Sequence, residues 1–278
     1  RFCPPWDKWL LWSGSHWRID NRLDIDRLAA DVPKMIRNEA AHQTQQRSAV
    51  LLRMAELQHQ FPLPPEYAQL TLKQKALGDK ADYLLKLASK LEGTAKRGCM
   101  LLATRHKVVI HHSDLDKGHF LLNASNGTVD LQTGVLRPHE RSDLLTHDVE
   151  IPYLPNAACP LWLAFLHSTF GGDAELIEFI QRAIGYSLTG DVREQVLLIC
   201  HGVGSNGKSV FLNILRKLLG GLAIQAAPDL LMADKQRRHP TEQADLFGKR
   251  IIVCQETGEG RRFNETLVKP VSYTHLTL

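Results

Sequence analysis

The chain has 278 residues, 44% of them hydrophobic, with 34 Lys and Arg against 30 Asp and Glu and a net charge of +4. That supports one large or two medium domains with real cores, and the slight basic excess is compatible with a nucleic-acid partner. No apolar run approaches the ~18 residues of a membrane span, Arg1-Phe2-Cys3-Pro4-Pro5-Trp6 does not resemble a signal peptide, and the five scattered cysteines lack a C-x-x-C pair, which excludes a disulfide framework or zinc ribbon and implies a reducing cytoplasm.

In chain order, the first element is a tryptophan-rich stretch. Trp6, Trp9, Trp12 and Trp17 are four of the five tryptophans, and Lys8–Trp17 reads as a hairpin turning at Ser13-Gly14. Packing is the expected role of such rings. Residues 22–60 read as helical, with Pro33 at the first turn of a second part. Pro62, Pro64 and Pro65 break that run. Two or three helices follow over 66–104, with an apolar stripe of Tyr83, Leu84, Leu87, Ala88 and Leu91. The period then changes. Phe120–Asn123 and Thr128–Leu131 flank Asn126-Gly127, a hairpin signal, and Thr133-Gly134 supplies the next turn. The proline-bearing stretch 151–160 reads as a linker, and Leu161–Leu188 as a helical run. His111-His112, near His106, gives only a weak metal signal without a matching acidic or thiol set.

The most specific motif comes next. Gly202-Val203-Gly204-Ser205-Asn206-Gly207-Lys208-Ser209 fits the phosphate-binding loop pattern G-x-x-x-x-G-K-[ST] without a mismatch. Its glycines let backbone N–H groups curl around an anionic phosphate. Lys208 would meet the β- and γ-phosphates, and the Ser209 hydroxyl would ligate Mg²⁺. The ligand class is therefore a nucleoside triphosphate, with ATP and Mg²⁺ the expected pair. The flanks agree. Gln195–Cys200 reads as a buried parallel strand, with Cys200 and Cys254 as small core residues. Val210–Leu219 has helical spacing and stops at Gly220-Gly221. That order aims a helix N-terminus at the phosphates.

Lys235, Arg237, Arg238 and His239 follow, with Lys249-Arg250 and Arg261-Arg262 beyond. This basic cluster suits a phosphate backbone; a solvated surface loop has the same composition. Ile251–Cys254 reads as a second core strand. It leads through Gln255 to Glu256, which could polarise the attacking water and reach Mg²⁺.

Several segments together resemble the poxvirus-like primase–helicases of phages, plasmids and integrated elements. They are Asn126-Gly127-Thr128-Val129-Asp130-Leu131 with Gly134, Cys159-Pro160-Leu161-Trp162, Gly185-Tyr186-Ser187-Leu188-Thr189-Gly190, and Gly202–Ser209. His239-Pro240-Thr241, Leu246-Phe247-Gly248-Lys249-Arg250 and Glu256-Thr257 complete the set. The resemblance runs from about Trp9 to Lys269. It implies a superfamily 3 helicase module of AAA+ type: an ATP-driven, ring-forming enzyme, hexameric by expectation, that binds single-stranded or forked DNA and couples ATP hydrolysis to DNA unwinding in a bacterial host cytoplasm.

On this reading an α+β region, helical with a small β-meander, fills residues 1–158. A partial α/β parallel-sheet core fills 159–269. Lys208 and Glu256 are the catalytic candidates, and Lys235, Arg237, Arg238 and Lys269 the DNA contacts. No initiator Met begins the chain, so an internal fragment is expected, inactive in unwinding by itself. Residues 271–278 resemble a translated sequencing adapter, so 270–278 is set outside the fold reasoning. The competing reading is a non-motor P-loop protein, such as a nucleotide-gated binding module or a small-molecule kinase.

Overall fold

The computed structural model describes residues 1–194, 196–202, 204–226, 246 and 248–254. It divides into two compact units, residues 1–11 with 19–110, and residues 12–18 with 111–278. Among the described residues no helix is long and apolar enough to cross a membrane.

The first unit is built on two long helices. The antiparallel strands β1 (Phe2–Cys3) and β2 (Lys8–Trp12) precede them, with β3 (Trp17–Ile19) next in the sheet order. The expected hairpin is present, its tip closed by Ser13 N–H donating to the His16 carbonyl at 2.9 Å. Helix α1 spans Asp24–Leu57, α2 spans Pro65–Leu91 and α3 spans Thr94–Thr104. Asp20 starts α1 from outside. Its carboxylate accepts from the N–H groups of Asp24 and Ile25, both at 2.9 Å, where a negative charge also meets the helix dipole.

Contrary to the sequence expectation, α1 does not break at Pro33. That residue lies buried inside one continuous helix. The reason is the seam. In α1, Ala29, Pro33, Ile36, Ala40, Gln43, Arg47, Val50, Met54 and Leu57 recur at alternating steps of four and three. All but Arg47 are buried or half-buried. In α2 the matching series is Tyr67, Leu70, Gln74, Leu77, Ala81, Leu84, Ala88 and Leu91. This is the heptad pattern of a two-helix coiled coil. Tyr83, expected on the apolar stripe, is 64% exposed, because the heptad puts Ala81 and Leu84 inward instead.

The seam is narrow where it is polar. A Cβ added to Gly78 would fall 2.9 Å from the Arg47 guanidinium. Arg47 Nε also donates to Gln74 Oε1 at 3.2 Å. Ion pairs Arg53–Glu66 (3.3 Å), Lys80–Glu39 (3.8 Å) and Arg37–Glu92 flank the seam. Each exposed pair adds little energy; together they favour this antiparallel register over its alternatives.

The second unit carries a meander, β4 (Leu121–Ala124), β5 (Gly127–Asp130) and β6 (Val135–Arg137), all antiparallel neighbours. The hairpin is where the sequence places it. The turn residues, however, are Ser125-Asn126, because Ala124 pairs with Gly127. Gly127 answers a close approach instead: a Cβ there would lie 2.5 Å from the Arg137 carbonyl oxygen. Asn126 clasps the Tyr153 backbone in both directions, donating to its carbonyl at 3.0 Å and accepting from its N–H at 2.9 Å. Tyr153 also packs on the meander core, so this part of the expected linker is tied down.

The expected helical run over 161–188 is two helices, α4 (Pro160–Thr169) and α5 (Ala174–Ser187). Gly171 and Gly172 both take positive φ, and Asp173 then caps α5 by accepting from Leu176 N–H at 3.0 Å. Helix α6 (Lys208–Leu219) follows, and Gly220 at φ 48° ends it. Strands β7 (Ala223–Gln225) and β8 (Ile251–Val253) pair in parallel. Two clusters knit the unit together. Leu166, Phe211 and Leu215 join α4 to α6, with Ile177, Ile180 and Ile184 of α5 against them. Ala124, Val129, Val149, Leu219 and Leu222 join the meander to the end of α6, with Ile251 of β8 alongside.

Candidate functional site

The phosphate-loop residues form a tight turn that runs directly into α6. Gly202 (φ 155°), Ser205 (φ 60°) and Gly207 (φ 84°) adopt the positive φ values that bend it. Gly202 and Gly207 are also places where a side chain would not fit. A Cβ on Gly202 would meet Asn206 Nδ2 at 2.2 Å, and one on Gly207 would meet Thr169 Oγ1 at 2.9 Å. Among the described residues nothing lies within 4 Å of such an atom at Gly204, so the middle of the loop is open there. Val203 lies outside the described residues.

Lys208 folds back across this turn. Its Nζ donates to the Gly202 carbonyl at 2.7 Å and to Asn206 Oδ1 at 2.9 Å. The ammonium thus sits at the loop, beside the start of α6, where backbone N–H groups carry partial positive charge. Ser209, next on α6, is exposed. The opposite face of α6 is anchored by Phe211, whose ring stacks on Trp162 of α4 at 5.8 Å, while Trp162 stacks on Phe165 at 5.5 Å. The loop is therefore exposed at the N-terminal end of a helix that is rooted in an aromatic core. An open backbone cradle, a positioned ammonium and an exposed hydroxyl fit a triphosphate with its Mg²⁺.

Other expected pieces stand differently. Residues 196–200 form no strand among the described residues. Val196, Leu197, Leu198 and Ile199 are 60%, 47%, 48% and 74% exposed, and Cys200 is exposed too rather than in a core. A strand needs ladder partners for its N–H and C=O groups, and no described segment pairs with this one. Strand β8 pairs instead with β7, and Cys254, half-buried, packs near Ala226 and Leu246. Glu256, Lys235, Arg237, Arg238 and Lys269 lie outside the described residues, as do Gln195, Gln255, His239–Thr241 and the 271–278 tail. The rings of His111 and His112 lie 4.3 Å apart, tilted at 37°, and His111 Nδ1 is engaged with Ser113 Oγ at 2.7 Å. Among the described residues no group of three or more His, Cys, Asp or Glu could hold a metal ion.

Lys249 and Arg250, grouped by sequence with the DNA-facing basic cluster, turn inward. The Arg250 guanidinium donates to the main-chain carbonyls of Leu188, at the end of α5, and Leu121 of β4. Its backbone N–H donates to Leu222 O at 2.7 Å. Burial lowers its pKa to about 10. Lys249 Nζ donates to Gly221 O at 2.6 Å and contacts His147 Nε2 at 3.2 Å. Nothing in the composition distinguishes these two cations from surface ones; their place just before an apolar strand is the only sequence signal.

Arg250→Ala should therefore destabilise the second unit by about 3 kcal/mol, since two charge-assisted bonds are lost and two carbonyls are stranded. Lysine, which lacks the fork, should recover less than half of that. Chemical denaturation of the three proteins is the check, and a change within about 0.5 kcal/mol would contradict the assignment.

Comparison with known proteins adds an independent line. A family model described as D5 N terminal like matches residues 1–171, a region that ends before the phosphate loop. A protein named "Putative helicase 184R" from Invertebrate iridescent virus 6 is 25% identical over 205 residues, covering 70% of this chain and 21% of its own length. A protein named "Uncharacterized mitochondrial protein ymf21" from Marchantia polymorpha is 33% identical over 75 residues, covering 27% of this chain and 42% of its own length. The chain thus spans about a fifth of the first relative and about two fifths of the second.

Proposed function

Because the chain belongs to the D5 N terminal like family, we propose that its Gly202–Ser209 loop binds MgATP and that a protein carrying it hydrolyses ATP to unwind DNA during replication. The observation that carries this reading is the conformation of the loop, with Lys208 Nζ already drawn onto Gly202 and Asn206 at the N-terminus of α6. The relative named as a helicase supports it from a separate direction. The parallel pairing of β7 with β8 is in keeping with an α/β P-loop core of AAA+ type, the superfamily 3 form.

In this proposal Lys208 holds the β- and γ-phosphates. Ser209 holds Mg²⁺, which neutralises phosphate charge, and Glu256 reaches the ion and orients the attacking water. Lys235, Arg237, Arg238 and Lys269 contact the DNA backbone. The functional assembly is a homo-oligomeric ring, a hexamer, acting in the cytoplasm of a host cell. Residues 159–269 form the motor core behind a preceding region at 1–158.

A motor and a non-motor P-loop protein differ in one simple response. Hydrolysis of ATP by a protein that carries this chain should rise when single-stranded DNA is added. Turnover indifferent to DNA, or transfer of the γ-phosphate to a small-molecule acceptor, would favour the non-motor reading instead.

A further inference from the structure

A chain of polar contacts crosses the second unit from the meander side to the start of β8. Asp116 lies in the stretch before β4. It accepts from Thr146 twice, from the backbone N–H at 2.8 Å and from Oγ1 at 2.5 Å. Thr146 Oγ1 is in turn 2.8 Å from His147 Nδ1. Since the hydroxyl proton goes to Asp116, the hydroxyl oxygen accepts Nδ1–H, which leaves His147 Nε2 as an acceptor for Lys249 Nζ. The imidazole fits between two glycines: a Cβ on Gly221 or on Gly248 would come within 3.2 or 3.3 Å of the ring.

We propose that the Lys249–His147–Thr146–Asp116 relay is a positioning latch that holds β8 and the turn after α6 on the meander, and that protonating His147 opens it. The argument is one of donors and acceptors. With a second proton the imidazole has donors on both nitrogens, and Nε2–H then faces the Lys249 ammonium, donor against donor and charge against charge. Lys249 must swing away, and its bond to the Gly221 carbonyl goes with it. The groups facing His147 are Asp116 from the stretch before β4, His16 from the β2–β3 turn, and Lys249 and Arg250 from the entry to β8. Asp148 follows on its own segment, its Oδ2 at 3.3 Å from His16 Nδ1. The Asp116 carboxylate favours the imidazolium, while Lys249, His16 and Arg250 oppose it.

Burial, the largest cause, holds the imidazole below its ordinary pKa of 6.5. The unfolded chain therefore binds the proton more readily than the native one. The contribution of the closed latch is fully present above pH 6.5 and is lost as the pH falls through the lowered value of the folded chain. Its effect on hydrolysis rests on the nucleotide reading above, because β8 leads in the chain toward Glu256.

The test is amide hydrogen exchange of the 278-residue chain at pH 7.5 and 5.5, corrected for intrinsic exchange, in wild type, His147→Gln and Lys249→Met. Glutamine can accept from Lys249 but does not titrate. Protection of the β5 and β8 amides should be lost on acidification in wild type and retained in His147→Gln. Lys249→Met should lose that protection at both pH values. The acid limb of the ATP turnover profile should likewise flatten in His147→Gln, with KM little changed. Equal pH dependence in wild type and His147→Gln, or unaltered protection in Lys249→Met, would overturn the latch. Absence of any ATP turnover in a wild-type protein that carries this chain would sink the nucleotide reading and leave the latch to be decided by exchange.

Discussion

Replacing Lys208 by alanine should reduce ATP hydrolysis by on the order of 10²–10³-fold or more while the fold is retained. The two halves of this expectation have separate causes. Within the loop segment Lys208 is the only charged side chain, so its removal leaves the β- and γ-phosphates without the ammonium aimed at them. The structure explains why the fold should tolerate the change. The ammonium bonds to Gly202 O and Asn206 Oδ1, and Gly202 is exposed, so water can replace the lost donor there. The apolar anchors of α6, Phe211, Leu215 and Leu219, are buried further along the helix and do not depend on the ammonium. Circular dichroism should match wild type in the same preparation that has lost turnover. Near wild-type hydrolysis in the variant would remove Gly202–Ser209 from consideration as the site.

Glu256→Gln should separate binding from chemistry. The amide is isosteric but cannot take a proton from water. Nucleotide affinity should stay within about tenfold, a difference of about 1.4 kcal/mol. Turnover should drop by on the order of 10²-fold or more. Single-turnover measurement with bound ATP distinguishes the two. Weak binding with an unchanged rate per bound nucleotide would assign Glu256 to another role.

The glycine-bent turn at 202–207 and α6 were legible because their signals are local. Glycine, lysine and helical apolar spacing each act within a few residues, and the structure places the helix at Lys208–Leu219 as expected. The Asn126-Gly127 hairpin was legible for the same reason, though Gly127 serves close packing against β6 rather than the turn itself. The long helical hairpin was half hidden. Its seam mixes large apolar residues with Ala29, Pro33, Ala40, Gln43, Ala81 and Ala88, small or polar residues that interrupt the hydrophobic stripe, and its register depends on a partner helix. The division of α4 from α5 could have been read from Gly171-Gly172-Asp173, a stop followed by a cap. The inward turn of Lys249 and Arg250 could not. Their side chains reach carbonyls of Gly221, Leu188 and Leu121 and the ring of His147, all distant in sequence, and composition carries no trace of such contacts.

The central claim is that this chain binds a nucleoside triphosphate at Gly202–Ser209. Thermal denaturation of wild type and Lys208→Ala, with and without MgATP, tests it most directly. At a ligand concentration a hundredfold above the dissociation constant, binding should stabilise wild type by about 2.7 kcal/mol. For a domain of ~150–250 residues that corresponds to a rise of about 2–4 °C for each kcal/mol. The account predicts this rise in wild type and its loss in Lys208→Ala. An unchanged melting temperature in wild type with MgATP, or an equal rise in both proteins, would contradict it.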